Sequence, residues 1–371
     1  MKIGIISMQR VLNYGSFMQA LSLKRILESL GHEVIFVDYK NDVKVQNRNL
    51  RGKTIHKCKK IKSSVKSIIK NLLKKNRLTE KEHAFYDFYN MLGMSQKKQY
   101  RKKVDVLLIG SDEVFNCLQD SDNVGFSMEL FGKNSKAKKL ISYAGCFGNT
   151  TYKRLKEFKV EKIVAKYLAG FDAISVRDKN SFETVKALIG KEPVCHLDPV
   201  FVGDLETLPW KETKEKDYMA VYGYSERFTE EEKQKIKDFA QKHNLKTVAL
   251  CEKQDFCDEF VRASADEIIS YFKNAKYVIT ETFHGTLFSV ITHRPFVTIV
   301  RETINNSYGN AEKLNDLLTR VGVEDRKIVD LNALEETMLK PIDYEQIDAL
   351  RRAERERTIQ YLKQQTEGIN L

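Results

Sequence analysis

The residue of this chain best suited to chemistry is His284, which stands in a turn beside Gly285 and Thr286. An unperturbed imidazole exchanges its proton near neutral pH and can therefore act as a general acid or base. Free N–H groups at the start of a helix attract anions. A histidine in a turn is, however, more often a local hydrogen-bonding residue, so the spacing alone leaves both roles open.

The stretch around this turn, Tyr277 to Val300, reads YVITETFHGTLFSVITHRPFVTIV. YVIT and PFVTIV are short apolar runs with many β-branched residues, which is typical of buried strands. Between them, Leu287, Val290 and Ile291 recur at helical spacing until Pro295 ends the pattern. Ligands of open α/β sheets bind at the carboxyl ends of the strands. The turn is therefore expected to lie at a binding cleft.

The first forty residues predict a parallel βαβ unit. Strands over 2–7 (KIGIIS) and 33–39 (EVIFVDY) flank an apolar-periodic helix that Gly31 ends. The loop after the first strand does not read GxGxxG, so the dinucleotide-binding fingerprint is absent. Its residues still follow a strand and are expected near a ligand.

Later strands repeat this arrangement. A buried run over 104–110 leads into Ser111 and Asp112, which we expect to cap a helix and to approach an anion. A further strand ends in Arg177, whose guanidinium can donate two parallel hydrogen bonds to a carboxylate or phosphate. Asp178 is the expected cap of the next helix. The residues of the first half expected to contact a ligand are Asn13, Tyr14, Gly15, Ser111, Asp112, Asn116 and Arg177.

Alternating strands and helices predict an α/β fold with two Rossmann-like domains that face a cleft. We place the first domain at 1–203 and the second at 204–342, with an acid-rich linker after Gly203. A helix over 343–371 is expected to pack back on the first domain. His196 lies inside a strand pattern and is expected to be a packed histidine.

Composition describes a globular protein of 371 residues with 42% hydrophobic and 31% charged residues. No signal peptide or membrane-spanning run is visible, so we expect a cytoplasmic protein. The six cysteines form no CxxC pair and lie near no histidine at zinc-site spacing, which favours free thiols and predicts no metal site.

The net charge of +12 comes from one segment. Residues 40–79 contain 14 basic residues and one acid, whereas the remainder carries 49 basic and 50 acidic residues. The part over 55–75 predicts an amphipathic helix whose polar face is nearly all lysine. It would either contact an anionic surface such as the inner face of the membrane or pack on the neighbouring domain. Nucleic acid is disfavoured because no recognition motif accompanies the charge.

Seven motifs in order resemble the polysaccharide pyruvyl transferase family and together cover residues 1–325. They are KIGIISMQRVLNYGSFMQALSLKRILESLGHEVIFVDY, GSDEVFN, ISYAGCFG, SVRD, LDPVF, TETFHGTLFSVITHRPFVTI and NNSYGNAEKLNDLLTRVGVEDR. The resemblance implies a glycosyltransferase-B-like fold. It also implies transfer of a pyruvyl group from phosphoenolpyruvate to two hydroxyls of a saccharide, giving a pyruvate ketal, with no further cofactor. The acceptor would be a precursor of a cell-surface polysaccharide or exopolysaccharide, lipid-linked or nucleotide-linked.

In this resemblance, the family's histidine falls on His284 and its arginine on Arg177. We expect His284 to act as general acid or base and Arg177 to pair with the phosphate or carboxylate of the donor. The N–H groups of Gly285 and Thr286 would stabilise developing negative charge. Glu281 would orient His284, contact the sugar or serve as a buried cap.

Four positions depart from the family pattern. The usual glutamine and tryptophan of GSDQVWN are Glu113 and Phe115, a serine is replaced by Cys146, and the aspartate before the histidine is Glu281. A glutamate at position 113 adds a charge near an expected anion site. A thiol at position 146 weakens any hydrogen bond that a hydroxyl would make there.

Two other functions fit the same sequence. A glycosyltransferase that uses a nucleotide sugar would have the same fold, and it predicts stabilisation by a nucleoside diphosphate. A non-catalytic module would bind an anionic membrane or polymer through residues 55–75, and it predicts binding without turnover.

Overall fold

The computed structural model describes residues 1–46, 85–100, 102–119, 125–250, 252–304 and 307–367. The expectation of an amphipathic helix over 55–75 lies outside the described residues.

The first domain is built on a six-stranded parallel sheet in the order β2-β1-β3-β4-β5-β6. Its strands are β1 (Lys2–Ile6), β2 (Glu33–Phe36), β3 (Val106–Asp112), β4 (Lys139–Gly145), β5 (Ser175–Val176) and β6 (Val194–Cys195). β1 and β3 are almost entirely buried, as their continuous apolar runs predict for a parallel sheet covered on both faces.

Within the described residues of this domain, six α-helices connect and cover these strands. They are α1 (Tyr14–Ser29), α2 (Tyr86–Met91), α3 (Tyr152–Glu157), α4 (Glu161–Leu168), α5 (Lys179–Ile189) and α6 (Pro199–Val202). Asp178 caps α5 as expected, by accepting a hydrogen bond from the N–H of Ser181. The apolar pattern over about 152–169 predicts a single helix, and this prediction is wrong. The chain breaks at Lys159, whose φ of 55° lies in the left-handed region, and a new helix follows.

The second domain repeats the architecture with a parallel sheet in the order β14-β11-β10-β7-β8-β9. Its strands are β7 (Tyr218–Tyr222), β8 (Lys246–Ala249), β9 (Glu259–Phe260), β10 (Tyr277–Thr280), β11 (Phe296–Ile299) and β14 (Lys327–Ile328), and an antiparallel pair, β12 (Thr303–Ile304) and β13 (Ser307–Tyr308), lies outside the sheet. Its helices are α7 (Glu230–Lys242), α8 (Ile268–Asn274), α9 (Phe283–Ile291), α10 (Ala311–Arg320) and α11 (Leu334–Leu339). The predicted strand–turn–helix–strand unit around His284 is confirmed as β10, α9 and β11.

The last helix, α12 (Tyr344–Thr366), joins the two domains. Near its start, the hydroxyl of Tyr344 donates to the carbonyl of Arg294 in the second domain at 2.7 Å. Near its end, the hydroxyl of Tyr361 donates to the carbonyl of Ser142 in the first domain at 2.9 Å. The helix therefore returns from the second domain to the first.

His196 is a packed histidine, as expected. Its Nδ1 lies 2.8 Å from the hydroxyl oxygen of Ser175, and its ring stacks on Tyr143 and contacts Tyr361. Burial lowers the pKa of His196 to about 3, so the ring is neutral at physiological pH.

Cys117, Cys146, Cys195 and Cys257 are free thiols. Across the described ranges, no helix combines the length and apolarity that a membrane crossing requires.

Candidate active site

A cleft of about 380 Å³ lies between the carboxyl ends of the two sheets. The first domain contributes the loop after β1, the end of β3 and the start of α5. The second contributes the ends of β7 and β10 and the starts of α9 and α10. The acidic residues, basic residues and histidine that line the cleft are Asp112, Glu113, Arg177, Asp178, Arg227, Glu281, His284, Glu312 and Lys313.

His284 lies in the first turn of α9, where Thr282 caps the helix. Its side chain is only 12% exposed, and Nε2 lies 3.6 Å from Oδ2 of Asp198. Nε2 is buried and has no hydrogen-bond partner within the described part of the chain. Since Nε2 faces Asp198, Nδ1 is the nitrogen left for a substrate in the cleft.

Asp198 is a buried carboxylate that contacts both Arg177 and His284. It caps α6 by accepting from the N–H of Val200 at 3.0 Å, and its Oδ2 accepts from Nη1 of Arg177 at 2.7 Å. Burial opposes its ionisation, but His284 and Arg177 lower the pKa of Asp198 to about 2. The carboxylate is therefore charged at neutral pH and contacts both Arg177 and His284.

This depressed pKa predicts a loss of stability in acid. The carboxylate of Asp198 is ionised more readily in the folded than in the unfolded chain, so its contribution is complete above pH 4 and is lost as the pH falls toward 2. We expect the advantage of the wild type over Asp198→Asn to shrink by about 2 kcal/mol between pH 6 and pH 2. Urea unfolding of both proteins across that range measures it. An advantage that does not change with pH would contradict the prediction.

Arg177 is buried between carboxylates and not open to solvent. It is 3% exposed, Nη2 lies 3.5 Å from Oδ1 of Asp112, and the guanidinium lies 4.2 Å from the ring centre of Phe283. Burial opposes the charge, but Cys146, Asp198 and Asp112 raise the pKa of Arg177 well above its ordinary value. Its Nε has no hydrogen-bond partner among the residues that the structure describes. The expected contact of Arg177 with a donor stays a prediction. The hydrogen bond from its Nη1 holds the carboxylate of Asp198 in place.

Gly15 lies directly beneath the ring of His284. A Cβ added at Gly15 would stand 2.1 Å from Nδ1 of His284, a distance at which something must move. Asn13 caps α1 by accepting from the N–H groups of Gly15 and Ser16, which fixes the backbone there. The close approach requires glycine at this position because any side chain would displace the imidazole.

We therefore expect Gly15→Ala to lower turnover at least about tenfold, since small misplacements of a reacting group are costly. Steady-state rates and a thermal unfolding curve of the variant measure this. Gly170→Ala is the matched control, because its added Cβ meets only the carbonyl of Tyr167, at 3.3 Å. Equal rates for the two variants would contradict the prediction.

The N–H groups of Gly285 and Thr286 are not available to an anion, and this expectation is wrong. The amide of Gly285 donates to Oγ1 of Thr282 at 2.9 Å, and that of Thr286 donates to the carbonyl of Thr282 at 3.1 Å. Thr282, the N-cap of α9, thus accepts the hydrogen bonds of these two backbone N–H groups, which would otherwise be free.

Glu281 does not orient His284. Its Oε1 accepts from the backbone N–H of Tyr224 at 3.1 Å, and Nη1 of Arg227 lies 3.4 Å from the same oxygen. Burial raises the pKa of Glu281, although Arg227 and Arg301 oppose the rise. It lines the cleft from the second domain, so contact with a sugar remains a prediction.

Three of the predicted first-domain residues are held by contacts within the protein itself. Tyr14 is buried in the apolar core between the domains, and its hydroxyl donates to the carbonyl of Ala263 at 2.8 Å. Ser111 and Asp112 are the last residues of β3, and no helix starts directly after them, so their expected role as helix caps is wrong. The amide of Asn116 donates to Oε2 of Glu113 and accepts from the hydroxyl of Thr150, both at 2.8 Å.

Asn13, Asp112 and Asn116 line the cleft. Nδ2 of Asn13 donates to the hydroxyl oxygen of Tyr224 at 3.1 Å, so this residue connects the two domains across the cleft. Oδ2 of Asp112 accepts from the hydroxyl of Ser16 at 2.9 Å.

The structure adds Asp198, Arg227 and Lys313 to the site. Asp198 follows a strand and precedes Pro199, a cap-and-proline signal that could have identified it. Lys313 stands in the first turn of α10, where a lysine opposes the helix dipole. Arg227 lies in an irregular segment, and its sequence neighbours give no signal.

Two parallel α/β domains face one cleft, with a histidine and a buried arginine–carboxylate network beside it, and this arrangement defines a glycosyltransferase-B-like fold. The family model of the polysaccharide pyruvyl transferases matches residues 13–303. The chain belongs to this family. The predictions of its family and of its fold class are thus confirmed.

Solved structures share the fold at low sequence identity. The UDP-GlcNAc 2-epimerase of Methanocaldococcus jannaschii, in complex with UDP-GlcNAc and UDP, is 10% identical, with a TM-score of 0.53 over 98% of this chain and 100% of that one. The MnaA–UDP structure from S. aureus is 10% identical, with a TM-score of 0.50 over 98% and 95%. The glycotransferase of kitacinnamycin is 13% identical, with a TM-score of 0.45 over 98% of both chains. A search of curated proteins finds no match.

Proposed function

We propose that the protein transfers a pyruvyl group from phosphoenolpyruvate to two hydroxyls of a saccharide and so forms a pyruvate ketal. The observation that carries this proposal is the position of His284. The family's histidine and arginine, from different domains, meet at one buried carboxylate, Asp198, beside a cleft large enough for a small donor.

The chemistry needs a proton donor close to the methylene carbon of the donor. The first sugar hydroxyl adds across the double bond, so that its oxygen bonds to the central carbon and a proton reaches the methylene carbon. The second hydroxyl then bonds to the same carbon while the carbon–oxygen bond to phosphate breaks, and its proton leaves with the phosphate. Two carbon–oxygen bonds form, one breaks, and no redox step or additional cofactor is required.

His284 suits both proton movements. With Nε2–H directed at Asp198, Nδ1 takes the proton of a hydroxyl and can return it to carbon. Asp198 fixes the ring orientation and stabilises the imidazolium, and Arg177 holds Asp198 in its position. Asp112 and Asn13 line the same cleft, and in this proposal they contact the acceptor.

The direct test is release of phosphate from phosphoenolpyruvate over a panel of hexosides, followed by mass analysis for the added pyruvate. We expect phosphate release that depends on one of the sugars, and a ketal product. Thermal unfolding with phosphoenolpyruvate and with UDP separates the alternatives, because a bound ligand raises the melting temperature. Stabilisation by UDP alone, without phosphate release, would favour a nucleotide-sugar transferase and overturn the proposal.

We further propose that the acceptor is a precursor of a cell-surface polysaccharide or exopolysaccharide and that the basic segment 40–79 brings the enzyme to the inner face of the membrane. Deletion of residues 50–77 should then abolish salt-sensitive co-sedimentation with anionic liposomes while leaving turnover of soluble hexosides intact. Unchanged binding after the deletion would remove this part of the proposal.

A further inference from the structure

The start of α10 brings positive charge to the second-domain wall of the cleft. Asn310 precedes the helix, Lys313 lies in its first turn, and both line the cleft. A helix N-terminus is already the positive end of the helix dipole, and a lysine there increases the positive potential that a glutamate would reduce. The neighbouring Glu312 offsets part of this charge. The side chain of Lys313 is 35% exposed and long enough to move within the cleft.

The partner of Lys313 comes from the opposite domain. Nζ of Lys313 lies 3.4 Å from Oε1 of Glu113, which follows β3 on the first-domain wall. Burial opposes ionisation of Glu113, but the charge of Lys313 lowers its pKa below the ordinary value. The carboxylate of Glu113 is therefore ionised at neutral pH, and its contact with Lys313 spans the cleft.

The carboxylate of Glu113 makes further hydrogen bonds within its own domain, whereas the ammonium of Lys313 does not in the described residues. Oε2 of Glu113 accepts from Nδ2 of Asn116 at 2.8 Å and from Nε2 of Gln119 at 3.4 Å, so the carboxylate is anchored to its own wall. Among the residues that the structure describes, Glu113 is the one hydrogen-bond and ion-pair partner of the Lys313 ammonium. Partly exposed ion pairs contribute little to stability. Replacement of Glu113 by another anion as the partner of Lys313 therefore costs little free energy.

We propose that Lys313 binds an anionic group of the donor, phosphate or carboxylate, and that Glu113 holds its place in the free protein. The donor then displaces an internal carboxylate, and Glu113 sets the donor affinity by competing for Lys313. Arg177 is less suited to this role, because its Nη1 donates to Asp198, its Nη2 lies 3.5 Å from Asp112, and its remaining nitrogen, Nε, is buried. This inference rests on the proposed use of phosphoenolpyruvate.

Two opposite substitutions test the competition. Lys313→Met should raise the KM for phosphoenolpyruvate about tenfold, because a charge-assisted contact is lost. Glu113→Gln keeps the shape and removes the competing charge, so it should lower this KM about threefold, the size expected for a half-exposed pair. In the Lys313→Met background, Glu113→Gln should have no further effect. Glu192→Gln is the matched control, since Glu192 pairs with Lys186 on the exposed surface.

A second readout does not depend on turnover. The rise in melting temperature with increasing inorganic phosphate should be larger for Glu113→Gln than for the wild type and absent for Lys313→Met. Wild-type turnover of phosphoenolpyruvate with no change of KM in either variant would overturn the inference and leave the proposed function standing. A higher KM in Glu113→Gln would also overturn it, since Glu113 would then assist the donor. A wild type that neither binds nor turns over phosphoenolpyruvate would overturn both.

Discussion

Replacement of His284 by asparagine is expected to lower the turnover of phosphoenolpyruvate by at least about a hundredfold while the protein stays folded. The imidazole is the only titratable side chain of α9 that lines the cleft, and Asp198 lies 3.6 Å from its Nε2. Asparagine keeps a polar side chain of similar size but cannot transfer a proton. Initial rates of phosphate release over a range of donor concentrations measure kcat and KM separately, and the loss should fall on kcat.

His243→Asn is the matched control for this experiment. His243 ends α7 far from the cleft, where its ring packs against Phe239. Its substitution should leave turnover unchanged. A His284→Asn variant with normal kcat, or with a raised KM and unchanged kcat, would exclude proton transfer by His284 and confine the residue to binding.

Replacement of Arg177 by methionine is expected to destabilise the protein by about 3–5 kcal/mol, because it leaves two buried carboxylates without their cation. Asp198 and Asp112 would lose the contacts at 2.7 Å and 3.5 Å. Turnover of the folded fraction should also fall at least about a hundredfold, since Asp198 would no longer hold His284 in place. Urea unfolding and rates corrected for the folded fraction measure the two effects.

The surface pair of Arg25 and Asp204 provides the comparison. Both side chains are more than a third exposed, so Arg25→Met should change stability by less than about 1 kcal/mol. The double variant Arg177→Met with Asp198→Asn should recover part of the lost stability, because one of the unpaired charges is gone. A single variant as stable as the wild type would show that the buried network contributes little to folding.

Local signals in the sequence were sufficient for the architecture. Apolar runs of four to seven residues became the buried strands of two parallel sheets, and polar residues at their ends came to line one cleft. These signals work because a parallel strand buried on both faces must be apolar along its length. Caps at Asn13, Asp178 and Thr282 were satisfied within a few residues of the chain. The break at Lys159 was missed because the helical period continues through it.

The same local rules could not decide which groups are free for chemistry. Gly285 and Thr286 stand at a helix start, yet their N–H groups serve the cap of Thr282. Tyr14 follows a strand end, yet it turns into the core between the domains. In both cases a group within the protein takes the place that a ligand would occupy. The local sequence does not indicate which of the two contacts will form.

By itself the sequence determined the fold, the family and the position of His284 and Arg177 at strand ends, because these depend on periodicity, on caps and on ordered motifs. Only the tertiary structure decided that Asp198 joins those two residues, that Gly15 lies under the imidazole and that Lys313 meets Glu113 across the cleft. Each of these contacts links segments far apart in the chain. Their distances follow from how two sheets and α12 pack, and no local pattern encodes that packing.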